Sequence, residues 1–162
     1  MNRYRLQGSS QRKQQGSETV EFAISSTLLF IILFGIIEFS VALYDKAILT
    51  NASREGARNG ILFRPQPRNE PLDSTFQCGE AQQGEDESIR EAVCRYAEQN
   101  LISLGGPADM QIDISRSDSG MSPGSEVVVT IDYPYDFLLL PGFVGTLGDL
   151  IEIQAVSSMR AE

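Results

Sequence analysis

Residues 15–44 read QGSETVEFAISSTLLFIILFGIIEFSVALY. Sixteen uncharged residues separate Glu21 from Glu38, and six more precede Asp45. A membrane-spanning helix needs about 20 mostly apolar residues, at roughly 1.5 Å of rise each. The segment 22–44 therefore predicts one transmembrane helix, which contains a single carboxylate.

The free energy of inserting this segment stays favourable despite Glu38. A carboxylate at the centre of a membrane helix costs about 2.5–3.5 kcal/mol, whereas each Leu, Ile, Phe or Val contributes about 0.3–0.6 kcal/mol in favour. The segment has fourteen such residues. Buried acidic side chains in membrane helices usually face a polar partner rather than lipid. We therefore expect Glu38 to be an assembly residue on a face that packs against other helices.

The charge on the two sides of the apolar segment differs in sign. Residues 1–16 carry four basic side chains and no acid, whereas residues 17–162 carry nine basic and twenty-two acidic ones, a net of −13. Basic flanks stay in the cytoplasm. We expect a disordered cytoplasmic leader over 1–16. No small-residue cleavage pattern follows the apolar segment, so a secretory signal peptide is not indicated.

Three patches resemble one protein family. The first is the basic leader that ends at Gly16 and is followed by Ser17 and by Val20-Glu21-Phe22-Ala23. The others are Ala52-Ser53-Arg54-Glu55-Gly56-Ala57-Arg58 and the tail from Ala155 to Glu162. The chain resembles a type IV prepilin and, more closely, the TadE-like minor pilins or pseudopilins of the tight-adherence (Flp, type IVb) pilus system. The likeness is specific over about residues 11–60.

The resemblance implies a structural role in pilus biogenesis and surface adhesion. It implies cleavage after Gly16 by a prepilin peptidase, which leaves Ser17 as the new N-terminus, and pairing of Glu21 with the terminal ammonium of a neighbouring subunit. The implied partners are this peptidase, other pilin or pseudopilin subunits and the inner-membrane assembly platform. The implied location is the inner membrane, crossed once with the N-terminus cytoplasmic and the head periplasmic, or the extracellular pilus.

A simpler interpretation of Glu21 remains open. Acidic side chains near a helix N-terminus interact favourably with the helix dipole, by a few tenths to about 1 kcal/mol. A carboxylate and an ammonium near an apolar boundary are each costly to bury alone. Pairing them between subunits would relieve both costs, which favours the assembly interpretation.

The remaining sequence predicts an α+β fold. Residues 17–62 are expected to hold the long N-terminal helix, with Gly60 as its C-terminal stop. Residues 63–162 are expected to form a small extracytoplasmic, pilin-like head. The head has a loop-like region up to Glu87, one amphipathic helix over 88–104 and a roughly three-stranded antiparallel sheet. The strands are expected near residues 110–115, 126–133 and 151–155.

Two cysteines lie in the part predicted to face an oxidising compartment. A disulfide between Cys78 and Cys94 is favoured over two unpaired buried thiols. It would close a loop of about 15 residues and contribute roughly 3 kcal/mol. The acids at 85–87 are interpreted as a solvated helix start rather than a Ca²⁺ site.

The apolar run 137–144 allows two interpretations. It either covers the open face of the sheet or forms a subunit contact through Leu139 and Phe143. Charging these two side chains would abolish assembly but leave the head folded if the contact interpretation is right.

Enzymatic function is not indicated. The chain has no histidine, which removes the usual nucleophile-activating base and metal ligand. We expect no cofactor, no metal site and no nucleic-acid partner. The alternative to a pilus subunit is an uncleaved, single-pass, membrane-anchored periplasmic binding or adhesion module.

Overall fold

The computed structural model describes residues 15–62, 68–80, 84–102, 109–135, 137 and 152–161, with side chains from residue 18 onward. The described residues form two helices and four strands: α1 (Gln15–Gly60), β1 (Asp73–Gln77), α2 (Glu85–Asn100), β2 (Gln111–Arg116), β3 (Glu126–Pro134) and β4 (Glu152–Arg160). This confirms the α+β class with a long N-terminal helix. Internal contacts divide the chain into two units, Met1–Ile36 and Ile37–Glu162.

Helix α1 contributes to both units. Over the first unit its large apolar side chains are exposed, and among the described residues it is the one helix long and apolar enough to cross a membrane. In the second unit one side of α1 is buried: Leu49, Ala52 and Ala57 belong to the core, and Ile48 is also buried. The helix ends at Gly60, as the sequence predicts.

The strands of the second unit form one antiparallel sheet in the order β1-β2-β3-β4. Alternate side chains on each strand enter the core: Phe76, Ile112, Ile114, Val127, Val129, Ile131, Ile153 and Ala155. The alternation that the sequence predicts for β2 and β4 is confirmed over the described residues of these strands, because a pleated strand directs successive side chains to opposite faces.

The sheet has one strand more than the sequence predicts. Strand β1 lies in the region predicted as loop and pairs with β2 through Asp73–Gln77. Phe76 is its one fully buried side chain, so the strand shows almost no hydrophobic pattern. Its place at the edge of the sheet explains the polar composition.

Helix α2 begins at Glu85 rather than at residue 88 and ends at Asn100, before Leu101 takes an extended conformation. It buries Ile89, Ala92, Val93 and Ala97, as predicted. The prediction that this helix continues to residue 104 is wrong, because Leu101 is already extended; residues 103–107 lie outside the described residues.

Two glycines allow α1 to approach α2 and the sheet closely. A Cβ added at Gly56 would lie 2.5 Å from Cγ2 of Val93, and one at Gly60 would lie 3.1 Å from both Ile89 and Val127. Any side chain at these positions would overlap core atoms or press against them. Gly60 thus suits its position because the absence of a side chain leaves room for Ile89 and Val127.

Candidate functional site

The predicted processing site lies at the beginning of α1. Gly16 and Ser17 are in its first turn, together with Glu18, and Glu21 follows one turn later as an exposed side chain. The helix-dipole effect fades within the first turn, so it accounts for Glu18 better than for Glu21. Cleavage after Gly16 and intersubunit pairing of Glu21 stay predictions.

The exposed apolar surface of α1 is continuous from Val20 to Ile37. Its large side chains are 39–74 % exposed, and a groove along it is lined by Val20, Ala23, Ile24, Thr27, Leu28 and Ile31. The hydroxyls of Ser26 and Thr27 donate to the Ala23 carbonyl at 3.1 and 2.8 Å. Because these hydroxyls are satisfied within their own helix, the surface suits contact with lipid or with another apolar helix.

Glu38 has a partner in its own chain. It is 3 % exposed, and its Oε1 accepts a hydrogen bond of 2.8 Å from the hydroxyl of Tyr135, which is 1 % exposed. Burial, and secondly the hydrogen bond to Glu38, raise the pKa of Tyr135. The burial of Glu38 therefore requires no second subunit, and a role in assembly stays a prediction. Nothing in the local sequence around Tyr135 indicates this contact, because its partner lies 97 residues away.

A second acid of α1, Asp45, also faces the head. It is fully buried, and its Oδ1 accepts a hydrogen bond of 3.2 Å from the backbone N–H of Ile102, just after α2. The sequence predicts Asp45 as the exit of the helix to water. That interpretation is wrong for its side chain, because the head covers this side of α1.

Two of the three patches that resemble the family meet in the core. The hydroxyls of Ser53 on α1 and Ser157 on β4 are 2.7 Å apart and buried. In the same helical patch Ala52, Gly56 and Ala57 are buried, whereas both arginines are exposed. The patch therefore combines a close-packed face with a basic outer face.

The predicted disulfide is present. Cys78 follows β1, Cys94 lies on α2, and their Cα atoms are 5.6 Å apart. Arg90 of α2 donates to the Cys78 carbonyl at 2.5 Å and pairs with Glu87, whose hydrogen bond raises the pKa of Arg90. The disulfide and Arg90 together fasten the chain after β1 to α2.

The acids that open α2 are not solvated as predicted. Glu85 pairs with Arg68, and Asp86 pairs with Arg116 of β2 and accepts a hydrogen bond of 2.7 Å from Ser74 of β1. Both acids are buried. The sequence does not indicate these pairs because their members are distant along the chain.

The two residues of the predicted contact loop, Leu139 and Phe143, lie outside the described residues. Over the described ranges, the structure has no group of three or more His, Cys, Asp or Glu side chains that could hold a metal ion.

Comparison with known families gives a match over the N-terminal helix. Residues 16–58 match the family model of TadE-like proteins, and this range contains the predicted processing site, the apolar segment and the helical patch around Gly56. No curated protein and no solved structure gives a significant match to the chain. The match supports association with the tight-adherence pilus and its components and a membrane-anchoring role for α1. Over residues 16–58 the long N-terminal helix of this chain is similar to that of TadE-like proteins.

Proposed function

We propose that the chain is a minor pilin or pseudopilin of a Flp-type tight-adherence pilus, a structural subunit and not an enzyme. The observation that carries this proposal is the family match over a helix whose first part exposes apolar side chains while its second part completes the core of a head. A helix of this kind must place its exposed part in lipid or against sister helices.

The proposed sequence of events begins in the inner membrane. The N-terminus faces the cytoplasm and the head faces the periplasm, as the basic leader favours. Prepilin peptidase cleaves after Gly16, and Ser17 acquires a free ammonium group. The Glu21 carboxylate of one subunit then pairs with this ammonium on a neighbour, which removes the cost of burying either charge alone.

The proposal is tested by intact-mass measurement of the full chain, produced in membranes with and without a prepilin peptidase. We expect loss of residues 1–16 only when the peptidase is present. A Gly16→Val variant, which adds bulk at the scissile bond, should keep the full mass in both cases. An unchanged mass of the unaltered chain in the presence of an active peptidase would favour the uncleaved anchored module.

The pairing of Glu21 has its own test. Glu21→Ala should be cleaved normally and yet fail to enter fibres, because the ammonium of the neighbour loses its counterion. Glu18→Ala, three residues earlier on the same helix, is the matched control and should assemble. Normal incorporation of Glu21→Ala would refute the electrostatic step.

A further inference from the structure

Two charged surfaces lie on opposite sides of the second unit. We define the sheet face as the outward charged side chains of the sheet, five acids and one base among the described residues: Asp73, Asp113, Glu126, Asp132, Glu152 and Arg160. We define the helix face as the exposed basic side chains of α1 in this unit: Lys46, Arg54 and Arg58. The core separates the two, because α1 packs on the inner face of the sheet.

The two carboxylates at the centre of the sheet face accept hydrogen bonds from uncharged side chains. Asp113 accepts hydrogen bonds from Thr75 at 2.5 Å and Gln111 at 3.4 Å, and Asp132 accepts one from Gln154 at 2.8 Å. These donors are neutral, and neither aspartate forms an ion pair within the described part of the chain. The hydrogen bonds orient the carboxylates without cancelling their charge.

The strand register brings these two aspartates close together. Asp113 lies opposite Thr130 on β3, and Asp132 lies opposite Gln111 on β2, so the aspartates are diagonal neighbours on one face of the sheet. Like charges at this separation repel. A cationic partner placed between them would relieve that repulsion.

The basic side chains of the helix face are also exposed and form at most a weak ion pair within the described part of the chain. Arg58 lies 3.8 Å from Glu55 with 70 % of its own side chain exposed, and an exposed pair of this kind is worth about 0–1 kcal/mol. Lys46 and Arg54 form no ion pair among the described residues. Arg54 and Arg58 are one helical turn apart, so they present two adjacent guanidinium groups, which bind carboxylates in a bidentate way.

We propose that the sheet face of one copy of this chain binds the helix face of a second copy. The faces are complementary in charge and lie on opposite sides of one unit. Such an interface is heterologous and continues from copy to copy instead of closing in a symmetric pair. The inference rests on the proposed function, since it assumes that subunits meet, and it names the contact that their heads make.

Anionic lipid is a poorer occupant of the helix face than a second copy. Arg54 and Arg58 lie 8 and 12 residues beyond Lys46, which is roughly 12 and 18 Å along the helix. The apolar side chains nearest to Lys46, Leu43 and Tyr44, are exposed and mark the end of the membrane-compatible surface. We therefore infer that the two arginines bind a protein surface rather than lipid.

Charge reversal in the full-length protein tests this contact. Two differently tagged copies are co-purified in a neutral detergent at low and at high salt. Asp113→Lys/Asp132→Lys in both copies, or Arg54→Glu/Arg58→Glu in both, should weaken the association about tenfold or more at low salt. When a copy with the two aspartates reversed is mixed with a copy with the two arginines reversed, most of the association should return. High salt should weaken association of the unaltered chain.

Glu91→Lys/Glu98→Lys, on the exposed side of α2, is the matched control and should leave association unchanged. The proposal is overturned if the reversals have no effect, if the mixed pair fails to recover, or if the control weakens association equally. The intact-mass experiment reports on processing alone. If the chain is cleaved correctly but its association does not depend on charge, the contact is rejected and the proposed function stands. If association depends on charge but the chain is not cleaved, only the processing step is rejected.

Discussion

The carboxylate of Glu38 accepts a hydrogen bond of 2.8 Å from the hydroxyl of Tyr135, 97 residues further along the chain. Tyr135 itself stacks edge-to-face on Phe137, with ring centroids 5.7 Å apart. The contact joins the chain just after β3 to α1 within the second unit. The head therefore contacts α1 within two residues of the start of that unit at Ile37.

Removing the tyrosine hydroxyl should weaken this attachment. Tyr135→Phe keeps the ring but takes a hydrogen-bond donor from a buried carboxylate, which costs about 1–3 kcal/mol. The free energy of unfolding in detergent, measured by chemical denaturation, checks this value. Tyr44→Phe, at an exposed position of α1, is the control and should change stability by no more than about 0.5 kcal/mol.

The same pair can be examined by a double-mutant cycle with Glu38→Gln. Residues in direct contact usually show coupling of about 0.5–3 kcal/mol. Additive effects of Glu38→Gln and Tyr135→Phe would contradict the hydrogen bond as a source of stability.

The sequence predicts the secondary structure well where hydrophobic periodicity is strong. The extent of α1, the inward side chains of β2 and β4 and the disulfide are predicted correctly, because each depends on local spacing or on a pair of cysteines. Strand β1 is missed because its sequence, DSTFQ, has a single buried apolar side chain. Its pairing with β2 is decided by the fold and not by the strand itself.

The polar contacts are the part that the sequence does not predict. A buried Glu38 implies a polar partner, but nothing local distinguishes Tyr135 from a side chain on another helix. Glu85 and Asp86 look like ordinary acids at the start of a helix, and only the fold brings Arg68 and Arg116 to them. Long-range pairs of this kind need the three-dimensional arrangement.

Gly56 should tolerate no side chain. In Gly56→Ala the new Cβ would lie 2.5 Å from Val93 Cγ2, so either α1 or α2 must shift, at a cost of about 1–3 kcal/mol. Thermal unfolding of the full chain measures the loss. Gly79→Ala, where nothing lies within 4 Å of the added atom, is the matched control.

A compensating variant makes this prediction specific. Val93→Ala removes the clashing methyl groups, so Gly56→Ala/Val93→Ala should lose less stability than the two single losses added together. If the stability losses of the two single variants simply add in the double variant, the cost of Gly56→Ala does not come from the contact with Val93.

The disulfide should contribute measurably to the stability of the head. Cys78 and Cys94 are 16 residues apart in sequence, and closing a loop of this size contributes roughly 3 kcal/mol. Cys78→Ser/Cys94→Ser should lower the unfolding temperature, and a reducing agent should lower that of the unaltered chain by a similar amount. The double variant should not respond to the reducing agent; a response would mean that the agent acts by another route.

Asp118 should make the stability of the turn between β2 and β3 depend on pH. Its carboxylate accepts hydrogen bonds from the Ser122 hydroxyl at 2.7 Å, the Ser122 N–H at 3.0 Å and the Gly120 N–H at 3.2 Å. These bonds, led by that of the Ser122 hydroxyl, lower the pKa of Asp118 from 3.8 to about 2. A carboxylate with a lowered pKa in the folded state stabilises the fold above the unfolded-state pKa, and this contribution is lost as the pH falls towards 2.

Asp118→Asn should therefore be less stable than the unaltered chain at pH 5 and above, and the difference should shrink between pH 4 and pH 2. Unfolding temperatures measured across this range for both proteins give the comparison. Ser122→Ala removes the hydroxyl that lowers the pKa most, so it should show the same trend with a smaller amplitude. A stability difference that stays constant from pH 6 to pH 2 would mean that the charge of Asp118 does not stabilise the turn.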